Sequence, residues 1–251
     1  MVTNKVKSGW DKLVIMKNEV ITKGADKVKR KKRIKKILKR VLLVLILLLF
    51  ILYIVFSIIY SHGSFTIRLE RDLYLKNSII VYEDPDYKVF RTELYAQTMD
   101  FIDNIKGEWF DIWWPDGLDK HEGGSHNGEN YVAYTFYVEN LGDEVTDYYT
   151  EIIVDDVLKG VDEAIRVRVY RNGEVATYAK MGKNGQPEKD TIPFVDDVLV
   201  ARNWIQEFKP GDIDKYTIVF WLEGPDPECN DNILGGEFKF HMDFKSEVIQ
   251  K

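Results

Sequence analysis

The chain is predicted to be mainly β: an extracellular antiparallel β-sandwich, jelly-roll or immunoglobulin-like, preceded by one transmembrane helix. Three observations predict it. Residues 41–60 read VLLVLILLLFILYIVFSIIY, twenty positions without a formal charge. Beyond them the apolar residues alternate with polar ones at period two, the pattern of strands packed on one side. Turn-forming pairs then separate the alternating runs.

The apolar run comes first. A helix rises about 1.5 Å per residue, so twenty residues span roughly 30 Å, the thickness of a bilayer's hydrocarbon core. A basic run, Lys29 to Arg40, precedes it. The overall charge of −6 hides a step: residues 1–40 carry a net +12 and residues 61–251 a net −18. Lys and Arg beside a spanning helix stay on the cytoplasmic side. The expected layout is a basic cytoplasmic tail at 1–40, a transmembrane helix at 41–60 and an extracellular domain at 61–251. Ser61 and Gly63 loosely resemble a signal-peptide cleavage site. A forty-residue leader and a twenty-residue core exceed signal-peptide dimensions, so an uncleaved anchor is expected.

In the tail, Trp10, Leu13, Val14, Val20 and Ile21 fall near one helical face among lysines. Such a segment suits anionic lipid headgroups, and a solvated basic tail that only sets topology is the alternative. The acidic domain argues against nucleic acid as a partner, because phosphate would be repelled. The expected partners are the bilayer itself and a protein or cell-envelope component. One cysteine, Cys229, excludes an intramolecular disulfide, so stability must come from an ordinary core.

Strands follow in order: Phe65/Ile67/Leu69, Val132–Val138, Ile165–Tyr170, Val175–Lys180, Val198–Phe208, Asp214–Leu222 and Phe238/Phe240/Met242/Phe244. Asn172-Gly173 supplies the positive φ values of a tight hairpin, and Lys209-Pro210-Gly211-Asp212 is a turn. Residues 115–130 and 180–190 read as exposed loops. Residues 91–105 fit a short helix or an irregular strand. Trp109, Trp113 and Trp114 flank Phe110 and Ile112. Alternate burial in a strand is the expectation, with stacking on sugars or a protein interface as the functional alternative.

The stretch Tyr216–Cys229, containing Trp221-Leu222-Glu223-Gly224 and Asp226-Pro227-Glu228-Cys229, leads to Gly235-Gly236 and a final strand. It resembles the C-terminal end of small exported proteins of low-GC Gram-positive bacteria, loosely similar to the biofilm matrix protein TasA and to camelysin. The resemblance covers about 165–244. It implies a jelly-roll sandwich at the cell surface or in a matrix, and through camelysin a metal-dependent peptidase. Those proteins carry a cleavable signal peptide, whereas this chain is expected to keep its anchor.

The residues themselves carry no catalytic motif. His121 and His126 are spaced five apart in a glycine-rich loop, not the four that stacks two imidazoles on a zincin helix. Solvated loop histidines are expected, with zinc the alternative. Asp226, Glu228 and Asp231 crowd one loop and are candidate Ca²⁺ ligands, without EF-hand order. Cys229 lies among acids that raise a thiol pKa, so an inert thiol is expected. The functional expectation is a non-catalytic binding or structural surface module without a cofactor. The alternatives are the camelysin-like peptidase and a membrane-anchored regulator acting through its tail.

Overall fold

The computed structural model describes residues 30–55 and 65–246. The stripe around Trp10 and the Ser61/Gly63 pair lie outside those residues. The chain divides into two compact units, 1–60 and 61–251.

In the first unit, α1 (Arg30–Val55) is 26 residues long. It is long and apolar enough to cross a membrane by length and composition. Its sequence holds no Gly or Pro, and Leu, Lys and Arg lose little rotamer freedom in a helix. Its first described residue, Arg30, already lies in the basic run, ahead of the expected start at Val41. Residues 56–60 of the expected span lie outside the described part.

The second unit is mainly β. In chain order its elements are β1 (Phe65–Leu69), α2 (Arg71–Asn77), β2 (Ile79–Tyr82), β3 (Glu93–Tyr95), β4 (Asn104–Ile105) and α3 (Glu108–Trp113). Then come β5 (Gly124–Ser125), β6 (Val132–Asn140), β7 (Thr146–Val157), β8 (Ile165–Arg171) and β9 (Glu174–Ala179). The last are β10 (Ile192–Pro193), β11 (Leu199–Phe208), β12 (Ile213–Glu223) and β13 (Phe238–Lys245). A five-stranded sheet runs β11-β7-β13-β1-β3. A larger, eight-stranded sheet runs β10-β9-β8-β12-β6-β2, with β4 on β12 and β5 on β6.

Both sheets feed one apolar core. Period-two alternation turns Phe65 and Ile67 of β1 and Phe240, Met242 and Phe244 of β13 inward, where they meet Tyr134, Phe136, Tyr216, Ile218 and Phe220. Phe220 lies 4.9 Å from Phe65 and 5.0 Å from Phe240 between ring centroids, and Phe244 lies 5.5 Å from Tyr216. The last strand is thus central: β13 sits between β7 and β1.

The turns follow their residues. Asn172 (φ 51°) and Gly173 (φ 87°) are both left-handed, as a type I′ hairpin requires. Asn172 is also tied down, because its side chain donates to Asp214 Oδ1 (2.6 Å) and accepts from the Lys215 N–H (2.8 Å). Between β11 and β12, the Asp212 N–H donates to the Lys209 carbonyl (2.9 Å) with Gly211 at φ 82°.

Three expectations need correction. The sheets are mixed, not antiparallel: β1 pairs parallel with β13, β10 with β9 and β4 with β12. A parallel pair needs a long crossover, and nearly the whole domain separates β1 from β13. Trp109 and Trp113 lie on the short helix α3, not on a strand. Residues 115–130 are not wholly exposed: a 3-10 turn at Leu118–Lys120 buries Leu118, and β5 pairs with β6. In residues 91–105 an irregular strand, β3, is present, as one of the two readings held.

The outward residues of the five-stranded sheet form a charge ladder. Arg202 and Lys245 both meet Glu151, at 2.5 and 2.7 Å, and Lys245 also meets Asp243 at 2.9 Å. His241 Nδ1 lies 2.7 Å from Asp155 and its Nε2 3.5 Å from Asp243. Arg68 of β1 reaches Asp155 at 4.0 Å. His241 faces outward, as its place in the alternation requires, yet it is buried by these neighbours. Burial opposes its charge, but the hydrogen bonds to Asp243 and Asp155 outweigh that and raise its pKa.

Candidate functional site

The outer face of the larger sheet is built differently. On β12, Val219 and Trp221 alternate with the core residues and point outward. They are covered by a second apolar cluster that includes Ile105, Phe110, Leu118, Tyr131 and Tyr170. Phe110, the buried residue of α3, meets Trp221 at 4.9 Å and Tyr131 at 5.1 Å, both edge to face. Glu223 anchors the helix start: it accepts from the Gly107 N–H (3.0 Å) and from the Trp221 indole N–H (2.8 Å). A Cβ on Gly107 would come within 2.9 Å of that carboxylate and 3.0 Å of the Trp221 ring, so a larger residue here would have to displace one of them. Arg168 lies beneath, its guanidinium 5.2 Å from the Trp221 ring and 5.5 Å from Phe110.

With Phe110 turned in, the other aromatics of α3 turn out. Trp109, Ile112 and Trp113 stand at i, i+3 and i+4, one face of a helix, and are 36%, 70% and 51% exposed. Trp109 and Trp113 are 5.0 Å apart. Trp113 and Trp114 meet nearly at right angles, 83° at 5.6 Å, forming a corner of two indole walls. Trp114 is held by Phe110 (6.0 Å) and Tyr131 (5.3 Å). The corner opens on a solvent-open surface cavity of about 350 Å³ lined by Trp113, Trp114, Pro115, Asp116, Gly117, Lys120 and His121.

The two candidate zinc ligands meet at the edge of this cavity. His121 and His126 stack with centroids 4.1 Å apart and planes 9° apart. His121 is exposed, but His126 is partly buried over β6, which corrects the expectation of two solvated histidines. His126 Nε2 lies 2.9 Å from the Thr135 hydroxyl, and its Nδ1 is buried without a partner. Burial first, then the charge of His121, pushes its pKa down to about 4. An imidazole nitrogen coordinates in its own ring plane. Two parallel planes do not converge on one ion, so this stack offers no common coordination point.

The structure brings Asp226 and Glu228 together, but not Asp231. Asp231 is exposed in a 3-10 turn at Asp231–Ile233. Among the described residues, the third carboxylate of the group is Glu188, from the 180–190 loop. The group already holds a cation. Arg166, itself buried, lies 2.5 Å from Asp226 and 3.3 Å from Glu188. Asp226 Oδ1 also accepts the Glu228 N–H at 2.8 Å. The Asp226 carboxylate, and to a lesser degree burial, raises the Glu228 pKa. This is the chemistry of an ion-paired tie between two loops, with the guanidinium bridging two of the three carboxylates. Nothing in the sequence joins Glu188 to Asp226, since the contact is purely tertiary. Cys229 is partly exposed, and burial, then Asp226, Asp103 and Glu223, raises its pKa, which suppresses the thiolate.

No protein-family model matches the chain, and no curated protein does. Among solved structures, the beta-glucosidase from Kluyveromyces marxianus in complex with glucose matches at 12% identity and a TM-score of 0.24, over 68% of this chain and 15% of that one. The selenomethionine form of that enzyme matches at 14% identity and a TM-score of 0.23, over 68% of this chain and 16% of that one. The chain thus spans a small part of the enzyme's length, and similarity at this level carries no argument about fold or activity.

Proposed function

We propose that this is a single-pass, membrane-anchored surface protein whose acidic β domain, a sandwich, is a non-catalytic binding module at the cell envelope. One observation carries the anchored reading: a helix of membrane-spanning length whose apolar run is preceded by a net +12 in residues 1–40 and followed by a net −18 in residues 61–251. Two mixed sheets that share one core support the sandwich. The exposed indoles of α3 support binding, because a short helix that turns two tryptophans and an isoleucine to solvent leaves apolar area to cover.

Orientation is tested by labelling intact cells with a membrane-impermeant thiol reagent, in a Cys229→Ser background. Lys120→Cys is expected to label and Lys7→Cys to remain unlabelled until the cells are opened. The reverse pattern contradicts the proposal.

A further inference from the structure

We propose that the corner formed by Trp113 and Trp114 is a saccharide-binding site, an inference that rests on the binding-module reading above and names its ligand class. A sugar ring with equatorial substituents has one chemistry on its faces and another on its rim. The faces are apolar C–H surfaces that stack on indoles. The rim is a circle of hydroxyls that need donors and acceptors. The cavity beside α3 presents both. Trp113 packs beside Trp109 at 5.0 Å and still turns half of its surface to solvent, and Trp114 stands at 83° to it as a second wall. Asp116, Lys120 and His121 line the same cavity and supply an acceptor, a donor and an imidazole. Its volume of about 350 Å³, open to solvent, leaves one face of a bound ring in water.

The Trp114 wall is fixed before any ligand arrives. Trp114 is wedged between Phe110 and Tyr131, and Phe110 is clamped on Trp221. A prearranged site loses less entropy on binding than one that must order its walls.

A lipid surface is the competing occupant for exposed tryptophans, and the charges disfavour it. Glu108 and Asp111 lie on the same short helix, with side chains 80% and 82% exposed, and Asp116 follows at once. Immersing Trp109, Ile112 and Trp113 in an interface would carry these carboxylates toward the headgroups, at a desolvation cost. A saccharide needs only the cavity and leaves Glu108 and Asp111 in water.

The test uses the full chain in phosphatidylcholine nanodiscs, titrated with triacetylchitotriose and with cellotriose and read by tryptophan fluorescence and calorimetry. Saturable binding of at least one triose is expected at roughly millimolar Kd or tighter. Trp113→Ala is expected to weaken it about tenfold or more and Trp113→Phe to restore part of it, while Trp204→Ala on the opposite sheet leaves it unchanged. No saturation by either triose up to about ten times that concentration, or binding indifferent to Trp113→Ala, overturns the inference. A lipid occupant has its own signature. Brominated phosphatidylcholine would quench a larger part of the emission in the parent than in Trp113→Ala, and that result also overturns it. Such failures are distinct from failure of the anchored reading, which the thiol labelling decides without any ligand.

Discussion

The two sheets cover their outer faces in opposite ways, and one histidine on each face registers the difference. On the five-stranded sheet, His241 lies among Asp155, Asp243, Lys245 and, through Asp155, Arg68. Its carboxylates favour the charged imidazole. On the larger sheet, His126 is partly buried beside Thr135 with His121 and Lys215 as its charged neighbours, and the neutral imidazole is favoured. The first face neutralises itself charge by charge across four strands. The second is sealed by aromatic rings and a helix, and the helix has more apolar surface than the sheet beneath can cover. Self-paired charges have little left to offer a ligand, whereas uncovered indoles do. Trp204 fits this contrast, since it is exposed yet stacks flat on Tyr149 at 5.8 Å, within the ladder's own face.

The contrast depends on the shared core, so the largest effect is expected there. Phe240 is buried between the sheets and stacks on Phe220. Phe240→Ala is expected to cost about 3–5 kcal/mol in urea unfolding of the domain, a large part of a typical total. A change below about 1 kcal/mol would mean that the sheets do not share this core.

The next effect separates the faces by pH. His126 has a folded pKa of about 4, depressed below its unfolded value near 6.5. Its contribution is therefore complete above pH 6.5 and lost as the unfolded chain binds the proton on acidification toward 4. Allowing for its partial exposure, the loss is on the order of 2 kcal/mol. The stability difference between the parent and His126→Phe should shift by that amount between pH 7 and pH 4.5, and a constant difference would count against the burial of this ring.

His241 runs the other way. Its folded pKa is raised, so its contribution is complete below about pH 6.5 and is lost as pH rises through the folded value. His241→Ala should cost about 1 kcal/mol at pH 5.5 and less at pH 8.5. Equal costs at both pH values would show that the ladder does not hold the ring charged. The smallest effect is on the exposed face: Trp113→Ala is expected to change stability by less than about 0.5 kcal/mol, because half of the ring is already in water. A large loss would make Trp113 a packing residue rather than a surface one.

What the sequence makes legible is local. Asn172-Gly173 and Pro210-Gly211 set their turns through backbone preferences that need no tertiary context. The alternation in β12 and β13 correctly separates inward Phe220 and Phe240 from outward Trp221 and His241. The rest depends on contacts distant in the chain. The parallel pairing of β1 with β13 leaves no periodic trace. Neither does the meeting of His241 with Asp155, 86 residues away. The helix α3 is hidden for another reason. Six residues make too little of a helical period to detect, Gly107 gives no side-chain cap, and its aromatics favour strands. Its signature was the density of tryptophans, which was legible as a candidate surface but not as a helix.

The difference between the two faces is tested most directly by fluorine NMR of the full chain labelled with 5-fluorotryptophan and titrated with triacetylchitotriose. The sequence holds six tryptophans, so each resonance can be assigned by single substitution. The Trp113 and Trp114 resonances are expected to move together and saturate, while Trp204 stays fixed. Movement of Trp204 with Trp113 and Trp114 unmoved would contradict the account and place the binding face on the charged sheet.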